Sequence, residues 1–410
     1  MNHKFFANIS GMLLLTILLT GGCSFFGEKK DRAAGEQNFW QARIDSLHRA
    51  LAPDARDHVF EIRLTKKDGR FTLSGKTDIP GLYDSIVKNA GRHGLPVNKI
   101  VYLPLPDFRD SVGVVKLSTA NLRTSPSHRA ELASQLLRGM PVRILEWKDG
   151  FYRVRTPSGY LGWMAKEGLH LMDSKAFATW AEAPKILMTD NAGAIYDTLV
   201  PGARQVADAV RNNVVKLIQQ TGDYYLVEIP GGKRGYVPES SWVMLDEWEE
   251  MNQRFASPRD VVLEAAHHYG GIPYLWGGTS VKALDCSGFT KNLYQSFGYL
   301  LPRDASQQYK ALEPVPLTEK LDSVQAGDLL FFGRKTEHGN KITHVALYIG
   351  GGRIIHATGE VKTESLFPED SLYNDARRQT LLEAGRIFGS YQLRIYPYYT
   401  REGVKIFFAQ

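Results

Sequence analysis

Cysteine is almost missing from this chain, which has two, Cys23 and Cys286, in 410 residues. A scaffold stapled by several disulfides is therefore excluded, and because Cys23 lies where a leader segment ends, the mature body carries a single thiol. Long apolar runs are missing too. Ile9 to Leu19 falls short of the about 20 residues a membrane-crossing helix needs, and no further apolar span follows it. No set of histidine, cysteine and acid has metal-ligand spacing, so neither zinc nor another cofactor is predicted. The formal net charge of +6 comes without a nucleic-acid motif or a dense basic run, which leaves nucleic acid out and suits a polymer rich in carboxylates. What is present is apolar material for more than one core: 43% hydrophobic and 11% aromatic residues predict a folded chain of several domains.

The remaining thiol sits where chemistry is favoured. Phe289, Leu293 and Phe297 follow Cys286 at helical spacing, which predicts that Cys286 occupies the first turn of an amphipathic helix. Unpaired amides and the positive end of the helix dipole favour a thiolate there, the form that attacks carbonyl carbon. Acyl transfer by a thiolate also needs a base that later protonates the leaving amine, and histidine titrates in the right range. Ile342 to Ile349 alternates as a strand containing His344, Gly350-Gly351-Gly352 reads as a hairpin turn, and Arg353 to Ala357 returns with His356. A turn centred near Gly350 or Gly351 with an odd number of loop residues puts both rings on one face as direct or diagonal neighbours, an inference a bulge would break. Asp328, after a glycine at a strand start, reads as a turn or cap residue. His267 and His268 fall on a helical stretch and His338 in a polar loop, and none joins the set.

Five motifs resemble those of a known family, the NlpC-type, papain-like cell-wall peptidases. They are Tyr274-Leu-Trp276-Gly277-Gly278, Asp285-Cys286-Ser287-Gly288, Gly327-Asp328-Leu-Leu-Phe331-Phe332, His344-Val-Ala-Leu-Tyr348 and His356-Ala357, in the family's order. The resemblance implies Cys286 as nucleophile, His344 as base and then acid, and His356 as the orienting third member. It also implies that Tyr274 and the Cys286 amide hold the oxyanion, and that Asp285 and Ser287 hold the terminal L-alanine of a muropeptide with a free amino terminus. The implied reaction is thiol-ester hydrolysis of the bond between γ-D-glutamate and the L-diamino acid of peptidoglycan stem peptides, in a recycling role and without a cofactor. Two alternatives stay open: an N-acetylmuramoyl-L-alanine amidase or intact-wall hydrolase on the same core, and a wall-binding lipoprotein with an idle pocket.

An internal repeat precedes that region. Gly150 to Trp163 aligns without gaps with Asp223 to Tyr236, an offset of 73 residues (232 − 159 for the paired glycines), each copy a pair of short alternating strands around a Pro/Gly turn. The copies resemble bacterial SH3 barrels. The first has that family's opening, Ala120-Asn121-Leu122-Arg123-Thr-Ser-Pro126-Ser127, and the second lacks it. By resemblance to three-part peptidases of this kind, the first barrel walls the substrate groove and lends Glu131 and Tyr160 to the L-alanine ammonium. Residues 31–107 read as a small α+β domain of unassigned role, with a helix at Asn38 to Leu51, strands near Phe60 to Leu64, Arg70 to Leu73 and Lys99 to Leu103, and a helix near Leu82 to Gly91.

Lys4, the apolar run and Thr20-Gly21-Gly22-Cys23 look like an export signal ending at a lipidated Cys23. The competing reading is an ordinary cleaved signal. The expected chain is thus α+β: a signal over 1–22, a small α+β domain over 31–107, SH3-like barrels over 108–172 and 173–248, and a papain-like peptidase domain over 251–410. Apolar strands at Tyr391 to Tyr396 and Val404 to Phe408 are expected to complete the catalytic sheet. By resemblance to envelope lipoproteins, Cys23 and the serine after it imply a lipid anchor in the cell envelope, at the outer membrane or in the periplasm.

Overall fold

The 73-residue spacing governs the middle of the molecule, whose structure, a computed structural model, describes residues 29–67, 70–84, 86, 97–255, 257–387 and 394–408. The first seven-stranded sheet runs, edge to edge, Leu169–Asp173, Ser111–Val115, Pro141–Lys148, Phe151–Arg155, Leu161–Ala165, Thr119–Arg123 and Leu132–Leu137. The second repeats that order as Trp242–Met244, Lys185–Met188, Val214–Thr221, Tyr224–Glu228, Arg234–Pro238, Ala192–Tyr196 and Gln205–Val210. The second copy lacks the opening motif, yet its strand Ala192–Tyr196 lies 73 residues beyond Thr119–Arg123, with Ile195 buried where Leu122 is buried. Burial of Ile195 in the barrel core keeps the strand where the motif has gone.

Each barrel ends in a helix, Ser174–Glu182 and Leu245–Phe255. The catalytic unit follows as a six-stranded sheet in the order Glu313–Pro314, Leu381–Arg386, Leu329–Thr336, Gly339–Gly350, Arg353–Thr358 and Glu360–Ser365. Leu329, Phe331, Val345, Leu347, Ile355 and Ala357 share a core with Phe289 and Leu293 of the helix Cys286–Gln295. Leu330, Phe332, Ala346, Tyr348 and Ile354 pack a second core on the opposite face. A sheet covered on both faces explains the unbroken apolar run at Leu329 to Phe332.

The carboxyl-terminal expectation fails. Tyr396–Tyr399 is a short 3-10 turn and Arg401–Phe408 a helix, neither in the catalytic sheet, while residues 391–393 lie outside the described set. Val404, Phe407 and Phe408 stand at i, i+3 and i+4, the helical period that a five-residue apolar run conceals. Their helix packs on Ser174–Glu182, with the rings of Phe177 and Phe407 5.7 Å apart, so the tail straps onto the first barrel.

At the other end, the helix Lys29–Leu51 precedes Arg63–Lys67, antiparallel to Arg70–Thr77, which pairs parallel with Val97–Tyr102. This unit docks on the first barrel through Val59 and Leu103 against Leu145 and Leu161. The expected leader with Cys23, and most of the helix expected near Leu82 to Gly91, lie outside the described residues. Among the described residues no helix is long and apolar enough to cross a membrane.

Candidate active site

Asp285 starts the helix Cys286–Gln295: its Oδ1 accepts from Gly288 N at 2.7 Å, and its Oδ2 accepts from Gly277 N at 2.9 Å. A Cβ on Gly288 would lie 1.9 Å from the Gly278 carbonyl oxygen, which is why glycine ends Asp-Cys-Ser-Gly. Gly277 has φ +84°, and a Cβ there would strike the Leu132 carbonyl of the first barrel at 2.3 Å. The Asp285 carboxylate is held further by Arg303, at 2.5 and 3.2 Å, and Arg303 Nη1 also donates to Ser287 Oγ at 3.0 Å. Arg303, 2% exposed, thereby neutralises Asp285 inside the protein. Sequence reading missed it, since a lone arginine in Leu-Pro-Arg-Asp carries no pattern.

The thiol itself departs from expectation. Cys286 is buried, and burial together with the Asp285 charge pushes its pKa up to about 11, against the opposing pull of the Val345 amide, Arg303 and the Ser287 amide. The first-turn amides are present, but desolvation outweighs them, and the resting sulfur is protonated.

The histidine hairpin contains the bulge that threatened its register. Leu347 pairs Ile355 and Tyr348 pairs Ile354, and the ladder then slips so that Gly350 faces Arg353. The slip lies on the turn side of the Leu347–Ile355 pair. His344, three residues before Leu347, and His356, one after Ile355, therefore keep a common face, and His344 Nε2 meets His356 Nδ1 at 2.8 Å with the rings nearly perpendicular, at 88°. Val345, whose backbone amide faces the Cys286 sulfur, follows His344 directly. Burial, Arg377 and His356 hold His344 well below its ordinary range. Burial and Arg377 bring His356 down to about 4 despite Glu364. Both imidazoles are neutral in the resting site.

Two residues behind this pair were not legible in the sequence. Glu364 Oε2 lies 3.0 Å from His356 Nε2, a close contact in which the ring N–H is not aligned for a hydrogen bond. Arg377 stands over the Phe332 ring, 5.2 Å from its centroid, with Nε 3.8 Å from Glu364. A charged residue in a polar loop or on an edge strand reads as solvated unless its neighbours across the fold are known.

In front of the thiol is a cleft of about 320 Å³ that brings together Tyr274, Asp285, Cys286 and Ser287 with Glu131 and Tyr160 of the first barrel. Glu131 Oε1 accepts from Trp276 Nε1 at 2.7 Å. Tyr160 is buried beside Asp304, and burial pushes its hydroxyl well above the usual range. The N-terminal unit contributes Arg56, which donates to Asp304 Oδ2 at 2.6 Å from Nη1. Of the three carboxylates lining the cleft, Asp285 is matched by Arg303 and Asp304 by Arg56, whereas Glu131 has no cationic partner among the described residues. The first barrel is fixed beside the thiol by Gln135, whose carbonyl accepts from Thr279 Oγ1 at 2.6 Å and whose N–H donates to that oxygen at 3.0 Å.

Comparison with known proteins follows the same division. Residues 271–384 match the NlpC/P60 family, and residues 122–169 match the bacterial dipeptidyl-peptidase Sh3 domain. The chain is similar to dipeptidyl-peptidase 6 of Lysinibacillus sphaericus, 30% identical over 67% of this chain and 99% of that one. It is similar also to the gamma-D-glutamyl-L-lysine dipeptidyl-peptidase of Bacillus subtilis, 34% identical over 50% of this chain and 62% of that protein. An NlpC/P60 family protein from Bacillus cereus ATCC 10987 shares the fold, with TM-score 0.54 and 22% identity over 67% of this chain and 99% of that structure.

Proposed function

The chain belongs to the NlpC/P60 family of cysteine peptidases, and from that premise we propose that it hydrolyses the γ-D-glutamyl to L-diamino acid bond, with meso-diaminopimelate or lysine following it, in peptidoglycan stem peptides whose L-alanine amino terminus is free. Cys286 Sγ attacks the carbonyl carbon while His344 takes its proton. A neutral imidazole is the competent form for that step, and with a thiol held up to about 11 the transfer accompanies attack. Tyr274, kept protonated chiefly by burial, which with nearby negative charge pushes it up to about 12, donates with the Cys286 amide to the oxyanion. His344 then protonates the leaving amine, and water opens the thiol ester.

The single observation supporting this reading best is the cleft itself, where the Cys286 thiol opens on one uncompensated carboxylate, Glu131. That carboxylate is the natural seat for a substrate ammonium, with Tyr160 and Ser287 beside it. Asp285, already neutralised by Arg303, shapes the seat through its hydrogen bonds. The protein works in the cell envelope in turnover of freed stem peptides, held there through a lipid on Cys23. The test is mass analysis of products from L-Ala-γ-D-Glu-diaminopimelate, from its N-acetylated form and from a muramyl-capped form. Release of L-Ala-γ-D-Glu from the free tripeptide alone supports the reading, and release of muramic acid from the capped form replaces it with an amidase.

A further inference from the structure

Glu364 touches neither the cleft nor the thiol, yet it is buried on the strand beside His356 and surrounded by groups that keep it charged. His356 pairs with Lys362 across the ladder, so Glu364, two residues on, shares that face. Lys362 Nζ lies 3.1 Å from Glu364 Oε1, and Asn374 Nδ2 donates to Oε2 at 2.9 Å. Arg377 Nε is 3.8 Å away and buried without a hydrogen-bond partner. Burial alone would raise the Glu364 carboxyl, but His356, Lys362 and Arg377 hold it below its ordinary value. An ionised carboxylate accepts and never donates.

The consequence runs inward one ring at a time. His356 Nε2 is buried, and its close polar neighbour is that carboxylate at 3.0 Å, off the line of the N–H; a bare nitrogen lone pair beside an anion is repelled, so Nε2 carries the hydrogen. In a neutral ring Nδ1 is then bare, and His344 Nε2, 2.8 Å away, must carry the hydrogen that fills it. His344 Nδ1 is thereby left as the lone-pair nitrogen. We propose that Glu364 is a positioning residue that sets the tautomers of both histidines through His356, so that His344 presents Nδ1 as the base to the Cys286 thiol. This rests on the cysteine-peptidase reading above and adds a fourth member to its relay. Glu364 also offsets the positive charges of Arg377 and Lys362 when the imidazole becomes protonated during the reaction.

Glu364→Gln removes the charge and offers an amide N–H to His356 Nε2, which permits the opposite tautomer chain and puts a hydrogen on His344 Nδ1. The test has two arms on the full chain. Long-range 15N–1H correlation of histidine-labelled protein at neutral pH reads the tautomers without substrate, with assignment from His344→Gln and His356→Gln. Both rings are expected as Nε2–H in the parent, and Nδ1–H signals are expected to appear for both in Glu364→Gln. Kinetics on the stem tripeptide are expected to show kcat lowered about 10- to 100-fold with KM unchanged, and the acid limb of kcat/KM displaced to lower pH because imidazolium loses its counter-charge. Glu364→Asp, which keeps an acceptor-only group, should recover part of kcat and retain the parent tautomers. Parent rings as Nδ1–H, or a Glu364→Gln protein with parental tautomers and kcat, overturn the relay. Neither result affects the peptidase reading, which falls only if Cys286→Ala still turns over. If Glu364→Gln does not fold, the tautomers of the parent decide alone.

Discussion

At the scale of single residues, the site is governed by how burial and charge offset one another around Cys286. A thiol held up to about 11 implies that free thiolate is scarce at neutral pH. Alkylation of Cys286 by iodoacetamide should therefore climb steadily from pH 7 toward pH 10 and show no plateau near neutrality; a flat rate from pH 5 to 8 would reveal a preformed thiolate–imidazolium pair instead. The acid side of activity follows the opposite sign. His344 is active when neutral and is held well below its ordinary value, so kcat/KM should stay level on acidification through the usual histidine range and fall only below it. Glu131→Gln should raise KM for the free tripeptide about tenfold or more, the worth of a charge-assisted hydrogen bond, and leave kcat and use of an N-acetylated analogue unchanged. The residue types were legible because Cys, His and Asp stand in short motifs. Arg303 and Glu364 were not, because each acts through a partner outside its own stretch of chain, Arg303 on Asp285 and Glu364 on His356 across the hairpin.

At the scale of elements, periodicity told most where it ran longest. The helix after Cys286 and the hairpin carrying both histidines were readable from apolar spacing, and the bulge near Gly350 proved harmless because it falls between the histidines and the turn. Short apolar runs misled. Val404 to Phe408 fits strand and helix templates alike, and the arbiter is tertiary: Phe177 and Trp180 of the barrel helix offer the surface that Phe407 buries. Phe407→Ala should consequently destabilise the first barrel by about 3–5 kcal/mol, seen as a lowered denaturation midpoint, where a residue at the edge of the catalytic sheet would weaken the peptidase unit instead. The strands Glu360–Ser365 and Leu381–Arg386 escaped sequence reading because charged residues punctuate them.

At the scale of the whole molecule, three units meet at one cleft. The first barrel brings Glu131 and Tyr160, the catalytic unit brings the thiol, and the N-terminal unit brings Arg56 to Asp304. The role of the N-terminal unit was closed to sequence reasoning because its links to the cleft, Arg56 to Asp304 and to Ser306, are side-chain contacts across 248 and 250 residues. Arg56→Ala should leave the catalytic unit folded, cost about 1 kcal/mol or less of stability as a partly exposed pair, and raise KM by freeing the Asp304 side chain from its place in the cleft wall. Parental KM in that variant would reduce Arg56 to a structural tie.

In the proposed reaction one sulfur, served by the His344 imidazole, breaks the γ-D-glutamyl bond. Turnover of L-Ala-γ-D-Glu-diaminopimelate by the parent, by Cys286→Ala and by His344→Ala tests it most directly. The expected result is release of L-Ala-γ-D-Glu by the parent and no release above background by either variant, both still folded. Continued release by Cys286→Ala would contradict the account.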